Sequence, residues 1–266
     1  MAKNLFLEIQ EIKNTDTISF IPNLPIVAEL QLKGLKEIHH LLKKPFDENL
    51  SLLLEKTAKR IMEQHSPCII AHSFSNEITL VMHSKESHSK PSPNKTNQNS
   101  KLFLVTKLTS LATSCFEEEK RNSKQNGIIL PPEFLNKIFQ FNCNCWNVPK
   151  TIKAVEWLMI KENRARHIAA AKICNELKID TEDQNTKSLI DSLAREGIVL
   201  ENAYGEYVYR GSFQKKRKIE DGTRKIEKLK IPPIHTIYNK LGVFFGNEEP
   251  LIIEPNKVTK KNKKGK

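Results

Sequence analysis

Apolar positions along the chain change period several times, and each period predicts an element. From Pro25 to Leu32 (PIVAELQL) β-branched and apolar residues mix without a helical repeat, which predicts a buried strand. Leu50, Leu53, Leu54, Ala58, Ile61 and Met62 then recur three and four residues apart, predicting an amphipathic helix over Glu48 to Glu63. Short runs at Cys68 to His72 and Glu77 to Met82 flank Ser73-Phe74-Ser75-Asn76, the pattern of two strands around a tight turn. Residues 84–100 (SKESHSKPSPNKTNQNS) offer nothing that could anchor a core and read as an inserted loop. Leu104, Leu108, Leu111, Ala112 and Cys115 share a helical face, and Gly127 to Leu130 reads as a short strand ended by Pro131-Pro132. A long helix is expected over Thr151 to Leu177 and a second over Ser188 to Ala194, stopped by Gly197. Tyr207-Val208-Tyr209 reads as a final strand. Helices and strands alternate without a strict repeat, so the expected class is α/β (α+β), with a mixed or antiparallel sheet and helices on one side.

Composition narrows this picture. The chain has 266 residues, 38% of them hydrophobic, enough for a core, with no run of roughly 18 apolar residues to span a membrane. The opening MAKNLFLEIQEIKN lacks the apolar centre of a signal peptide. Five cysteines scatter without a disulfide framework, which fits an intracellular, cytoplasmic or nuclear protein. Cys143-Asn144-Cys145 has no supporting His or Cys and reads as a loop, while Cys115 and Cys174 fall on apolar helical faces. Phosphate loops of the GxxxxGK[ST] type, nucleophile elbows and HExxH helices are absent, so the common NTPase, hydrolase and metalloprotease readings have no support.

Charge adds a partner. The chain carries 43 Lys and Arg against 31 Asp and Glu, a formal +12, and the segment from Lys215 to Lys266 alone holds 15 basic and 6 acidic residues. A dense cationic stretch attracts phosphate backbones through counterion release, which makes RNA or DNA the first partner to consider and Lys215, Lys216, Arg217 and Lys218 candidate phosphate contacts. The expected organisation is a main domain over residues 1–213 and a basic extension over 214–266.

Several local strings, in order, resemble the tRNA(His) guanylyltransferase family, whose members extend RNA in the 3′-to-5′ direction. Ile21-Pro22-Asn23-Leu24-Pro25-Ile26-Val27 is similar to that family's entry into its first strand, and Lys33-Gly34-Leu35 to the segment leaving it. Lys44-Pro45-Phe46-Asp47-Glu48 resembles the segment before the next helix, and Ala71-His72-Ser73-Phe74-Ser75-Asn76-Glu77 falls at the family's hairpin. Ser100-Lys101-Leu102 and Arg210-Gly211-Ser212-Phe213 complete the match, which runs roughly from Phe6 to Phe213.

The resemblance implies a palm-like sheet in which carboxylates at adjacent strand ends hold Mg²⁺, with GTP or ATP as ligand, tRNA as RNA partner and a homo-oligomeric state. It places Gln31, Leu32, Lys33, Gly34, Leu35, Ser75 and Asn76 in the nucleotide-binding segments. Gln31 and Asn76 stand where the family has metal-binding aspartates, and Leu32 where a glycine carbonyl assists. Of the carboxylates, Glu77 remains. Losing anionic oxygen ligands weakens the hold on a hard cation, so nucleotidyl transfer is expected to be impaired or lost, a pseudoenzyme. An active magnesium-dependent enzyme is the alternative, with Glu29, two residues before Gln31 on the same strand face, joining Glu77 as a catalytic pair. The family's second signature falls near Ile160 to Ile168, where positive charge survives, making Lys161, Arg164, Arg166 and His167 candidate RNA or phosphate contacts.

Residues 164–210 also admit a reading from another class. An alanine-rich helix, a turn, a second helix and a possible two-stranded wing outline a winged helix-turn-helix, a DNA-binding regulator whose Lys187, Ser188 and Asp191 would face bases.

Overall fold

The computed structural model describes residues 7–8, 10–11, 19–83, 100–219 and 222–253. Six strands, β1 (Ile26–Lys33), β2 (Cys68–Phe74), β3 (Glu77–Met82), β4 (Gln140–Asn147), β5 (Ser212–Lys218) and β6 (Arg224–Lys228), form one sheet in the order β4-β1-β3-β2-β5-β6. Every neighbouring pair is antiparallel. The longer helices are α1 (Glu48–Gln64), α2 (Lys101–Arg121), α4 (Thr151–Glu176) and α5 (Thr186–Arg195). Single turns or so make up α3 (Pro132–Asn136), α6 (Leu200–Ala203), α7 (Glu206–Tyr209) and α8 (Lys240–Phe245).

The strand period of two sorts side chains onto two faces. On one face Ala28, Leu30, Leu32, Ile78 and Leu80 meet Leu53 and Leu54 of α1 and Leu108 and Phe116 of α2. The other face carries Val27, Ile70, Val81 and Trp146, which pack on Val155 and Leu158 of α4 and on Ile234 and Phe244. Asp47 starts α1 by accepting a hydrogen bond from the Leu50 amide, 3.0 Å, which satisfies one otherwise unpaired amide of the first turn. The 26 residues of α4 make it about 39 Å long, so it serves two cores. Its first half lies on the sheet, while Ala169, Ala170 and Ile173 pack on Leu189 and Leu193 of α5 and Val208 of α7.

Helices thus cover both faces of the sheet rather than the one side expected, because residues on each strand alternate between two apolar sets. Four local expectations change as well. Gly127 to Leu130 is not a strand; Ile128 is buried but its amide caps the preceding turn through Ser123 O, and the Ile129 amide goes to Asn49 Oδ1. In the reverse direction, the Cys143-Asn144-Cys145 loop is part of edge strand β4, where Phe141, Cys143 and Cys145 alternate into the core. Tyr207 to Tyr209 is a helical turn. With α6 and α7 occupying residues 200–209, the segment has no two-stranded wing, which removes the geometric basis of the winged-helix reading.

The fourth change concerns the boundary at 213/214, which falls inside β5. Residues beyond it belong to the fold: Leu229, Ile231, Ile234, Ile237, Val243 and Phe244 are buried in the second core. Arg210 ties them down, its guanidinium donating to Glu162 Oε1 at 2.6 Å, Ile231 O at 2.8 Å and Pro232 O at 3.0 Å. The neighbouring Gly211 has φ +78°, and a Cβ there would lie 2.5 Å from Ser73 O and 2.6 Å from His72 Nε2, so only glycine lets this crossing approach β2. The insertion expected at 84–100 lies, apart from Ser100, outside the described residues.

Candidate active site

The antiparallel register of β1 and β3 sets Gln31 opposite Glu77 and Glu29 opposite Thr79. Because 28, 30 and 32 point into the α1 and α2 core, Glu29 and Gln31 face the other way, toward α4. At the hairpin end the Leu32 amide donates to Asn76 O at 2.8 Å. Ser75, with φ +57°, makes the turn that brings Asn76 and Glu77 back beside β1. Gln31, Leu32, Asn76 and Glu77 therefore adjoin at one end of the sheet, and Glu29 sits one strand repeat behind them.

Each of these acceptors is already engaged from within the chain. The Lys161 ammonium of α4 lies between two carboxylates, in an ion pair with Glu29 and another with Glu77 at 2.5 Å. Its side chain is 5% exposed, against 11% for Glu29 and 23% for Glu77, and it stands 5.2 Å from the centre of the Trp157 ring one turn earlier. Thr79 Oγ1 also donates to Glu77 Oε1, 3.3 Å. Asn76 Nδ2 donates to Leu32 O at 3.3 Å, and Lys33 Nζ to Gln31 Oε1 at 2.5 Å. The residues present do not fit a divalent-cation centre. An ammonium holds the point both carboxylates address, the Leu32 carbonyl is bonded by an amide, and Gln31 and Asn76 offer neutral amides where the resemblance implies anionic ligands. Among the described residues, no three His, Cys, Asp or Glu side chains group to hold a metal.

The other candidates separate. Lys161, read above as a phosphate contact, is turned inward. Arg166 pairs with Glu201, His167 Nδ1 is 3.1 Å from Thr186 Oγ1, and Arg164 is exposed. Lys215, Lys216 and Arg217 lie in β5 at the far side of the sheet, where Arg217 pairs with Glu227 at 2.5 Å; Lys218 is the last residue of that strand.

Leu35 and Ser75 of the expected nucleotide set border a cavity whose other walls include His39, Lys43, Phe46 and Lys172. Lys172 Nζ stands 4.1 Å from the Phe46 ring centre, and burial pulls this lysine below its ordinary range. Phe46 in turn meets Phe74, ring centres 5.2 Å apart. The cavity is small, about 60 Å³, and the Asp47 carboxylate lines it with the two lysines. Phe46 lay within a family-like string, whereas Lys172, on the far half of α4, had no signal of its own.

A protein-family model described as tRNAHis guanylyltransferase matches residues 9–149. Among solved structures, a bacterial tRNA(His) guanylyltransferase-like protein in complex with ATP aligns with TM-score 0.67 and 15% identity, over 91% of this chain and 97% of its own. A bacterial protein of the same description in complex with GTP gives 0.63 and 15%, over 87% and 94%. The tRNA(His) guanylyltransferase of Saccharomyces cerevisiae gives 0.58 and 15%, over 84% and 97%. No curated protein sequence matches this one. At such identities the structural likenesses establish the fold.

Proposed function

The chain belongs to the tRNAHis guanylyltransferase family, and from that premise we propose that it binds a purine nucleoside triphosphate and tRNA while nucleotidyl transfer is impaired or lost. The observation that carries the reading is Lys161 seated between Glu29 and Glu77. Phosphoryl chemistry of this kind needs divalent cations to activate the attacking hydroxyl and to neutralise the leaving pyrophosphate. Here one internal monovalent cation occupies the point between the two carboxylates and offsets one of their charges, and Mg²⁺ has to displace it to bind there. The nucleotide half of the proposal draws support from the ATP and GTP held by the similar bacterial proteins, and from Leu35 and Ser75 of the expected nucleotide set bordering one cavity.

A working enzyme draws on one observation: Glu29 and Glu77 do reach a common point, as a catalytic pair would. Incubating the full chain with labelled GTP, tRNA and Mg²⁺ decides between the readings. Bound GTP and tRNA without incorporation is the expected result. Mg²⁺-dependent incorporation overturns the loss of catalysis, and failure to bind either ligand overturns the binding half.

A further inference from the structure

At the opposite end of β2 and β3 from Glu77, the α1–β2 connection, β5, β6 and the end of α8 enclose a second cavity of about 280 Å³. That is roughly nine times the ~30 Å³ a water molecule takes in the liquid, room for a phosphate group with part of its ester. Among the described residues its ionisable walls are Lys215, Lys216, Arg224 and His83, with no Asp or Glu in the lining; Glu227 and Glu249 act on Lys215, and Glu63 on Lys216, from farther off.

The two lysines are held in an unusual way. Lys215 is 1% exposed, and its ammonium donates to Val243 O at 2.5 Å and to Gly246 O. Lys216, from the other face of the same strand, donates to Met62 O at 2.5 Å and Ser66 O at 3.3 Å. An ammonium has three N–H donors, so after two carbonyl bonds each keeps one. Carbonyl dipoles orient a cation without cancelling its charge. Among the described residues, neither ammonium has a carboxylate within 4 Å, whereas Arg217 and Lys228 on the same hairpin both do. Arg224, exposed at the start of β6, adds a third cation at the rim. Desolvation pulls both lysines below their ordinary range, and a bound anion reverses that.

We propose that this cavity is a second anion site, which takes a phosphate group through Lys215, Lys216 and Arg224. It is about 20 Å along β3 from Glu77, six residues at a strand's rise, so it is separate from the nucleotide cavity. A carbonyl-anchored ammonium gives a fixed hydrogen-bond direction, and the exposed guanidinium at the rim adds a planar, charge-assisted donor.

The test uses the full chain with two probes. In the first arm, inorganic phosphate is compared with chloride at equal ionic strength by thermal unfolding, for the wild type, Arg224→Gln and Lys215→Met. Phosphate should raise the wild-type midpoint beyond chloride, and both variants should lose most of that excess. In the second arm, a labelled single-stranded RNA is titrated against the same proteins. Loss of a charge-assisted contact at Arg224 should weaken RNA binding about tenfold if RNA supplies the phosphate. Arg224 is exposed, so its variant reads out even if Lys215→Met does not fold. Phosphate stabilisation without an RNA effect assigns the site to a free phosphate compound. No phosphate excess in the wild type, or the same excess in Arg224→Gln, overturns the site. Failure of GTP and tRNA binding with phosphate stabilisation intact overturns the proposed function alone.

Discussion

Two ends of one sheet bury lysines in opposite ways. Lys161 sits against Glu29 and Glu77, so at the site the resemblance assigns to metal one of two carboxylate charges is cancelled from within the chain. Some 20 Å away, Lys215 and Lys216 are anchored by main-chain carbonyls at the edge of a cavity with no acidic wall among the described residues. Both arrangements satisfy the hydrogen-bonding rule for buried charge, but they leave different electrostatic remainders. A carboxylate pair consumes the charge, whereas a pair of carbonyls directs it outward. What a buried lysine can do thus depends on whether its partners are ions or dipoles, more than on how deeply it is buried.

The largest expected effect breaks the first arrangement. Lys161→Met leaves two half-buried carboxylates facing each other without a cation. Removing one partner of a buried pair costs about 3–5 kcal/mol, and the 23% exposure of Glu77 puts this case near the lower end. If the ammonium holds the place of a cation, 10 mM Mg²⁺ should recover about 1 kcal/mol in the variant, the gain at roughly five times the dissociation constant, and almost nothing in the wild type. Urea unfolding with and without Mg²⁺ measures both. Equal gains in the two proteins would mean that Lys161 and Mg²⁺ do not compete.

A smaller effect probes the second arrangement through pH. His65 closes α1 beside the cationic cavity, and burial, then Lys107 and Lys216, push it down to about 4 from an ordinary 6.5. Between those values the unfolded chain binds a proton that the folded chain refuses, so stability falls as pH drops from 6.5 toward 4. Discounted for partial solvent access, the loss is about 1–2 kcal/mol by pH 4.5. His72 is also pushed down to about 4 by burial and adds a parallel loss, so the difference between wild type and His65→Gln isolates the first histidine. Phosphate in the cavity should soften the slope. A variant with the wild-type acid slope would place the titration elsewhere.

Sequence reading reached the parts that local periodicity controls. The face of α1, the β2–β3 hairpin and the length of α4 all follow from spacing, and the adjacency of Gln31, Asn76 and Glu77 follows from the family-like strings. Edge strand β4 was missed because Asn and Gln alternate with Phe141, Cys143 and Cys145; counted at period two, those three residues carry the signal. Tyr207 to Tyr209 misled through β propensity, which three residues cannot enforce against packing on α4. In QKKRK of β5, charge dominated hydropathy and concealed a strand with Phe213 and Lys215 on one face. The seat of Lys161 was out of reach, since it depends on how α4 crosses a sheet whose relevant residues lie 84 and 132 positions earlier.

The smallest effect sharpens the comparison with an ion pair of ordinary surface type. Lys228 Nζ meets Glu55 Oε2 at 2.7 Å, with the lysine side chain 46% exposed. Its distance is close to that of Lys161 from Glu77, so a difference in energy between them reflects surroundings rather than geometry. Water solvates the lysine, far more exposed than Lys161, when the pair is broken, and holding two long side chains together costs entropy. Lys228→Gln should therefore cost about 0.5 kcal/mol or less, and a double-mutant cycle with Glu55→Gln should give a coupling of about 0.2–1 kcal/mol that shrinks in 1 M NaCl. The matching cycle on Lys161 and Glu77 should give a larger coupling that salt barely changes. Similar couplings with similar salt sensitivity in the two cycles would show that water reaches Lys161, and with it that the metal position is open.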